Sequence, residues 1–110
     1  MHKAIGAAAI GWLAMAGVAA AQEAGDAAKG LAYAVRVCAE CHGVLAIDRA
    51  SPMMGLATFK AIANSPGMSG TALAVWLRTP HQSMPNLVIE TEDRSNVIAY
   101  ILSLREAPAR

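Results

Sequence analysis

The segment Cys38-Ala39-Glu40-Cys41-His42 contains the only two cysteines of the 110-residue chain and one of its three histidines. Two thiols three positions apart, with a histidine next in sequence, suit three chemistries. They could form a redox dithiol, supply part of a tetrahedral zinc site, or form thioether bonds to a haem whose iron binds the histidine. The surrounding sequence discriminates among the three.

The sequence around this motif favours covalent haem attachment. A thioredoxin-like dithiol is expected in a βαβ context, and no strand is predicted near Cys38. Zinc needs four ligands, but outside the motif only His81 and carboxylates remain, without a second paired motif. In C-x-x-C-H the two cysteines can reach two vinyl groups on one edge of the macrocycle, and the histidine places its imidazole under the iron. We therefore predict one covalent haem c, attached at Cys38 and Cys41 and ligated by His42.

The sixth position of the iron requires a residue from another part of the chain. Beyond residue 21 the methionine candidates are Met53, Met54, Met68 and Met84. Met84 is favoured because Pro80 and Pro85 stiffen its segment and reduce the entropy lost on ordering the sulfur. Methionines commonly fill gaps in a core, which is the other interpretation of Met84. Met54 is kept as the alternative ligand, and His81 is interpreted as a loop or surface residue.

The N-terminus predicts an export signal. A short charged start precedes a nearly unbroken apolar run over residues 4–21, which ends in three alanines with the small side chains that signal peptidase requires. We therefore predict a signal peptide over residues 1–21 and one periplasmic domain over residues 22–110. The alternative is a retained membrane anchor, because the run just reaches the lower limit of about 17 residues for a span.

Removal of residues 1–21 would leave a domain with eight basic and eight acidic residues, and hence no formal charge. A neutral domain offers no electrostatic support for nucleic-acid binding. A domain of this size also has a small hydrophobic core and usually needs an additional stabilising element. A bound cofactor would be such an element.

Four segments have helical patterns, and none resembles a strand. The first helix is predicted to run from an Asp26 N-cap to about Glu40. The last is predicted to begin at a Thr91 N-cap, to carry an apolar stripe up to Leu104 and to have Arg105 at its C-terminal end.

Two shorter helices are predicted over residues 58–64 and 71–78, each ended by a following proline. The stretches 43–57 and 79–90 are predicted loops that wrap the cofactor. Pro52 in the first loop suggests that a loop carbonyl binds the free imidazole nitrogen of His42, which would orient the ring and raise its basicity.

Three segments together carry a family resemblance: the helix ending in CAECHG, the segment WLRTPHQSMPN at residues 76–86, and the closing helix VIAYILSL at residues 97–104. They resemble a class I, single-haem c-type cytochrome of the bacterial periplasm. The resemblance implies an all-α, small cytochrome c fold of about four short helices wrapped around one covalently bound haem. It also implies that the first and last helices cross where a small residue, Gly30, faces an aromatic one, Tyr100. Ala34 stands where the family often has an aromatic residue, and Tyr33 is expected to supply that bulk.

The resemblance further implies a periplasmic electron carrier and not an enzyme. The implied site residues are Cys38, Cys41, His42 and Met84. With both axial positions of the iron filled by protein, such a site moves single electrons, and a methionine ligand raises its potential. Trp76 and Phe59 would pack the haem or bond a propionate, although core packing explains them equally well.

The implied partners are redox protein donors and acceptors. The mature protein is expected to be a monomer that binds no nucleic acid and does not insert stably into a membrane. Docking is expected on an apolar rim near Ala39 and the Met84 segment, unless the scattered basic residues converge on a ring. Two other functions stay open. The chain could be an electron-exit subunit of a periplasmic dehydrogenase or oxidase, or a haem protein in which a gas or peroxide displaces Met84.

Overall fold

The computed structural model describes residues 3, 25–79, 84 and 87–107, and within these residues it contains four helices and no strand. The helices are α1 (Ala27–Val37), α2 (Phe59–Ala63), α3 (Gly70–Arg78) and α4 (Thr91–Ser103). The predicted all-α architecture is confirmed. The predicted signal peptide lies outside the described residues except for Lys3.

Helix α1 begins as predicted and ends earlier. The Asp26 carboxylate accepts hydrogen bonds from the backbone N–H groups of Ala28 and Lys29, at 2.9 and 3.1 Å, which is a standard N-cap. The helix was predicted to reach Glu40 but ends at Val37, because the chain then enters turns that carry the cysteines. Within these turns the Ala39 N–H donates to the carbonyl of Ala34, five residues back, at 3.0 Å.

The two short helices are each capped by a hydroxyl. The Thr58 Oγ1 atom accepts from the Ala61 N–H, and the Ser69 Oγ atom accepts from the Ala72 N–H, both at 3.1 Å. Helix α3 therefore begins at Gly70, one residue before the predicted start. The Ser69 hydroxyl at its cap is the physical reason for that difference.

The predicted N-cap of α4 was wrong. Thr91 is the first helical residue, and the cap is Glu90, whose side chain makes no capping hydrogen bond. Arg94 accounts for the difference, because its guanidinium donates to the Ile89 carbonyl at 3.0 Å and to the Thr91 hydroxyl at 3.3 Å. At the other end of the helix, Arg105 lies beyond the last turn and donates to the Met68 carbonyl.

Helices α1 and α4 touch through backbone because α1 carries glycine where they cross. A Cβ atom added at Gly30 would lie 2.0 Å from the Asn96 carbonyl oxygen and 2.8 Å from the Cβ of Tyr100. Any larger residue would separate the helices. The Asp26 N–H also donates to the Asn96 Oδ1 atom at 2.8 Å, which fixes the start of α1 against α4. The expected small-residue and aromatic crossing is therefore present.

The core lies between this helix pair, α2 and α3. Its buried hydrophobic residues are Tyr33, Ala34, Val44, Phe59, Ala63, Leu73, Ile89, Val97, Tyr100 and Ile101. Tyr33 is buried next to Ala34, as expected if it supplies the missing aromatic bulk. No helix within the described residues is long and apolar enough to cross a membrane.

Candidate cofactor site

An apolar cavity of about 430 Å³ opens between the C-terminal end of α1, α2 and α3. Its lining is formed by Val37, Cys38, Glu40, Cys41, His42, Leu56, Phe59, Ile62, Met68, Leu73, Trp76, Leu77, Met84 and Leu87. The volume falls in the roughly 300–1,000 Å³ range of small-molecule and cofactor sites. All four predicted site residues are among the lining residues, so chain segments far apart in sequence meet at one cavity.

Both cysteines face this cavity from the turn that follows α1. The N–H groups of Cys41 and His42 both donate to the Cys38 carbonyl, at 3.2 and 2.9 Å, so the motif is a compact turn. The two cysteines do not form a disulfide with each other. One turn therefore presents both thiols and the imidazole to the same space.

Burial, and to a smaller extent the nearby Cys41, raises the pKa of the Cys38 thiol to about 11. A reactive redox dithiol works through a lowered cysteine pKa. The environment of Cys38 therefore opposes a redox dithiol at this motif. Among the residues that the structure describes, no three His, Cys, Asp or Glu side chains are arranged so that they could hold one metal ion between them.

The His42 ring is held by a backbone carbonyl. Its Nδ1 atom lies 2.8 Å from the Ala57 carbonyl oxygen. Because a carbonyl only accepts, Nδ1 must carry the proton, which leaves the Nε2 lone pair available to a metal. The presence of Pro52 led to the prediction that a carbonyl of this loop binds His42. The carbonyl that does so belongs to Ala57, at the end of the loop where the chain approaches α2.

An aromatic contact supports the same ring. The Phe59 ring lies 5.6 Å from the His42 ring, centroid to centroid, with the two planes tilted by 49°. Phe59 is 4% exposed and also lines the cavity. The imidazole is thus fixed by one hydrogen bond and one packed ring, as is typical of a histidine that must keep one nitrogen aimed at a metal.

The four methionine candidates differ in whether they line the cavity. Met84 and Met68 line the cavity, whereas Met53 and Met54 are 42% and 97% exposed and do not line it. The geometry therefore supports Met84 over Met54 as a sulfur donor. It also places Met68 at the cavity, although no sequence signal favoured this residue. His81 lies outside the described residues.

Phe59 and Trp76 both line the cavity, as expected for residues that pack a cofactor. Trp76 is nevertheless 54% exposed, so it stands at the rim, whereas Phe59 is part of the core. Leu73 and Leu77 of α3 also line the cavity and were not predicted to do so. Their three- and four-residue spacing with Trp76 was the available signal.

An all-α fold with a CxxCH turn at the wall of an apolar cavity defines a protein built around a covalently attached haem. Cytochrome c-552 of Bradyrhizobium diazoefficiens is 36% identical to this chain over 93 residues, which cover 84% of the chain and 88% of that protein. No family model matches the chain, and no solved structure matches it significantly. Because of its similarity to this relative, the chain belongs to the mono-haem c-type cytochromes.

Membership of this family assigns the chain one covalently bound haem c and a role in electron transfer with redox partners. The described residues fit that cofactor. Two cysteine side chains, an imidazole and a methionine thioether line the same apolar cavity. Histidine and methionine hold the haem iron of cytochromes c, and the two cysteines of C-x-x-C-H attach the macrocycle.

Proposed function

We propose that this protein is a periplasmic single-electron carrier whose haem is attached at Cys38 and Cys41, with His42 and Met84 as axial ligands. The observation that carries the proposal is the state of His42. Its Nδ1 is bonded to the Ala57 carbonyl at 2.8 Å while the side chain lines the cavity, so Nε2 is the nitrogen left for iron. Bound haem would supply the one-electron ferric–ferrous couple.

The protein's own residues would set the properties of that couple. The Ala57 carbonyl raises the basicity of His42, and the Met84 thioether is a soft donor that favours the ferrous state. Buried apolar side chains such as Phe59 and Leu73, 4% and 3% exposed, exclude water from the cavity. A dry site with a thioether ligand raises the reduction potential.

Because His42 and Met84 would occupy both axial positions, no position remains for a substrate. The protein is therefore proposed to transfer electrons and not to act as an enzyme. We further propose that residues 1–21 direct export and are removed, that the mature protein is a monomer, and that its partners are redox proteins and not nucleic acids. The neutral charge of residues 22–110 supports the last point.

Replacement of Met84 by alanine tests the ligand assignment. The haem should remain attached because Cys38, Cys41 and His42 are unchanged. The weak absorption band of ferric iron bonded to methionine sulfur should disappear, and the ferrous protein should bind carbon monoxide. The potential should fall by on the order of 0.1 V, within the roughly 0.8 V range that axial ligands span.

Two matched methionine variants control this experiment. Met54→Ala alters a side chain that is 97% exposed and should leave the band and the potential unchanged. Met68→Ala removes a second sulfur from the cavity lining and should keep the band. If the band is lost in Met54→Ala or Met68→Ala but kept in Met84→Ala, the assignment of Met84 is wrong.

A further inference from the structure

The loop over residues 43–57 begins and ends beside the His42 ring. Gly43 follows His42 directly, and Ala57, at the other end, accepts the Nδ1 hydrogen bond at 2.8 Å. The Phe59 N–H donates to the Gly43 carbonyl at 2.8 Å and so joins the two ends. The position of the Ala57 carbonyl therefore depends on how firmly the beginning of the loop is held.

The beginning of the loop is held by two hydrogen bonds, one of them buried. The Gly43 N–H donates to the Ser51 hydroxyl at 3.0 Å. The next residue, Val44, is only 2% exposed, and its carbonyl accepts a hydrogen bond from the Tyr100 hydroxyl at 2.5 Å. This bond joins residues 56 positions apart, and it ties the loop to α4.

Tyr100 also supports the other side of the imidazole. Its ring lies 6.4 Å from the Phe59 ring, centroid to centroid, and Phe59 in turn packs against His42. Tyr100 is 7% exposed and sits at the backbone contact with Gly30, so its own position is fixed by the helix crossing. One side chain thus contacts both the loop and the ring that hold the imidazole.

We propose that Tyr100 is a positioning residue for the axial histidine. Its hydroxyl holds the Val44 carbonyl, keeps the loop ends together and thereby keeps the Ala57 carbonyl against Nδ1 of His42. Through that bond it tunes the basicity of the imidazole and the reduction potential of the haem. This inference rests on the proposed ligation of iron by His42.

The variant Tyr100→Phe removes the hydroxyl and keeps the ring. It leaves the Val44 carbonyl buried without that donor, which favours movement of the loop. The Ala57 bond to His42 should then lengthen, and the imidazole should become less basic. A less basic ligand stabilises ferric iron less, so the potential should rise. The Nδ1 proton should also exchange faster with solvent, because its acceptor is held less firmly.

The test measures potential and Nδ1–H exchange in the purified, haem-loaded protein, the latter by NMR of the ferrous state. In Tyr100→Phe the ferrous-to-ferric ratio at a fixed solution potential should rise severalfold. The change should be smaller than the effect of losing the Ala57 acceptor itself, because Tyr100 acts on His42 only through the loop. Both readouts report on His42, and a purely structural role for Tyr100 would not move them.

Two variants serve as matched controls. Tyr33→Phe makes the same chemical change in the other tyrosine of the chain, which is buried on α1 and takes no part in the bonds described above. Ile101→Val removes one methylene from a residue of α4 that is 2% exposed, and so loosens the core while it leaves the Tyr100 hydroxyl in place. Both should keep the wild-type potential and exchange rate. An equal response of Tyr100→Phe and Ile101→Val, or no response of Tyr100→Phe, would overturn the proposal.

A second form of the experiment applies if Tyr100→Phe does not accumulate. In the Tyr33→Phe protein Tyr100 is the only tyrosine, so biosynthetic fluorotyrosine labels that position alone. Fluorination makes the hydroxyl a stronger donor to Val44 and should lower the potential; an unchanged potential would overturn the inference. Failure of this inference can be distinguished from failure of the proposed function. If the proposed function were wrong, the wild-type protein itself would lack the spectrum of a histidine-ligated c-type haem.

Discussion

The backbone contact between α1 and α4 predicts a large effect of Gly30→Ala. The added Cβ would lie 2.0 Å from the Asn96 carbonyl oxygen, whereas a close C···O contact is about 3.3 Å or more. The helices must therefore separate by about 1.3 Å. The obstructing atoms are backbone and cannot rotate away, so the clash must be relieved by moving a helix.

The energy follows from two opposing terms. Overpacking typically costs about 1–3 kcal/mol, and this contact should fall at the upper end because α4 carries Val97, Tyr100 and Ile101, all at most 7% exposed. Alanine is the better helix former by about 1 kcal/mol. The net loss in the free energy of unfolding is therefore about 2 kcal/mol.

Urea denaturation of the haem-loaded protein measures this loss. With a slope of about 2 kcal/mol/M, the midpoint should fall by about 1 M while the slope is unchanged. Lys29→Ala, at an exposed neighbouring position, should change stability by less than about 0.5 kcal/mol. A Gly30→Ala midpoint equal to or above the wild type would refute the claim that the helices meet through backbone at this glycine.

Two other predictions concern docking and export. Electron-transfer rates with the native partner should change little with ionic strength, because Lys60 is paired with Glu106 at 2.9 Å and because Trp76 and Leu87 form an exposed apolar rim at the cavity. Stopped-flow measurement across a salt series checks this, and a steep fall would indicate a basic docking ring. Protein purified from the periplasm should begin at Gln22 by mass spectrometry, and a chain that retains residues 1–21 would instead support a membrane anchor.

Local sequence signals predicted the elements of this fold well. The Asp26 cap, the Arg78 end of α3 and the cofactor motif all depend on residues within a few positions of one another. At the start of α4, where the predicted cap was wrong, a nearby side chain explains the difference. Arg94 satisfies the Ile89 carbonyl and engages Thr91, so the threonine does not serve as the cap of α4.

Features that depend on distant contacts could not be predicted from the sequence. The choice of Ala57 as the acceptor for His42 is set by the path of a 15-residue loop, and the bond from Tyr100 to Val44 spans 56 residues. The loop composition around Met54 is compatible with its exposure, but the loop pattern alone does not predict which methionine lines the cavity. Such facts follow from tertiary structure and have no local pattern.

The most direct test of the account is whether the haem is covalently bound through Cys38 and Cys41. Denaturation in acid followed by extraction with organic solvent separates free haem from attached haem. The haem colour should stay with the polypeptide, and replacement of either cysteine by alanine should prevent normal maturation in the periplasm. Colour that passes into the solvent from the wild-type protein would contradict the account.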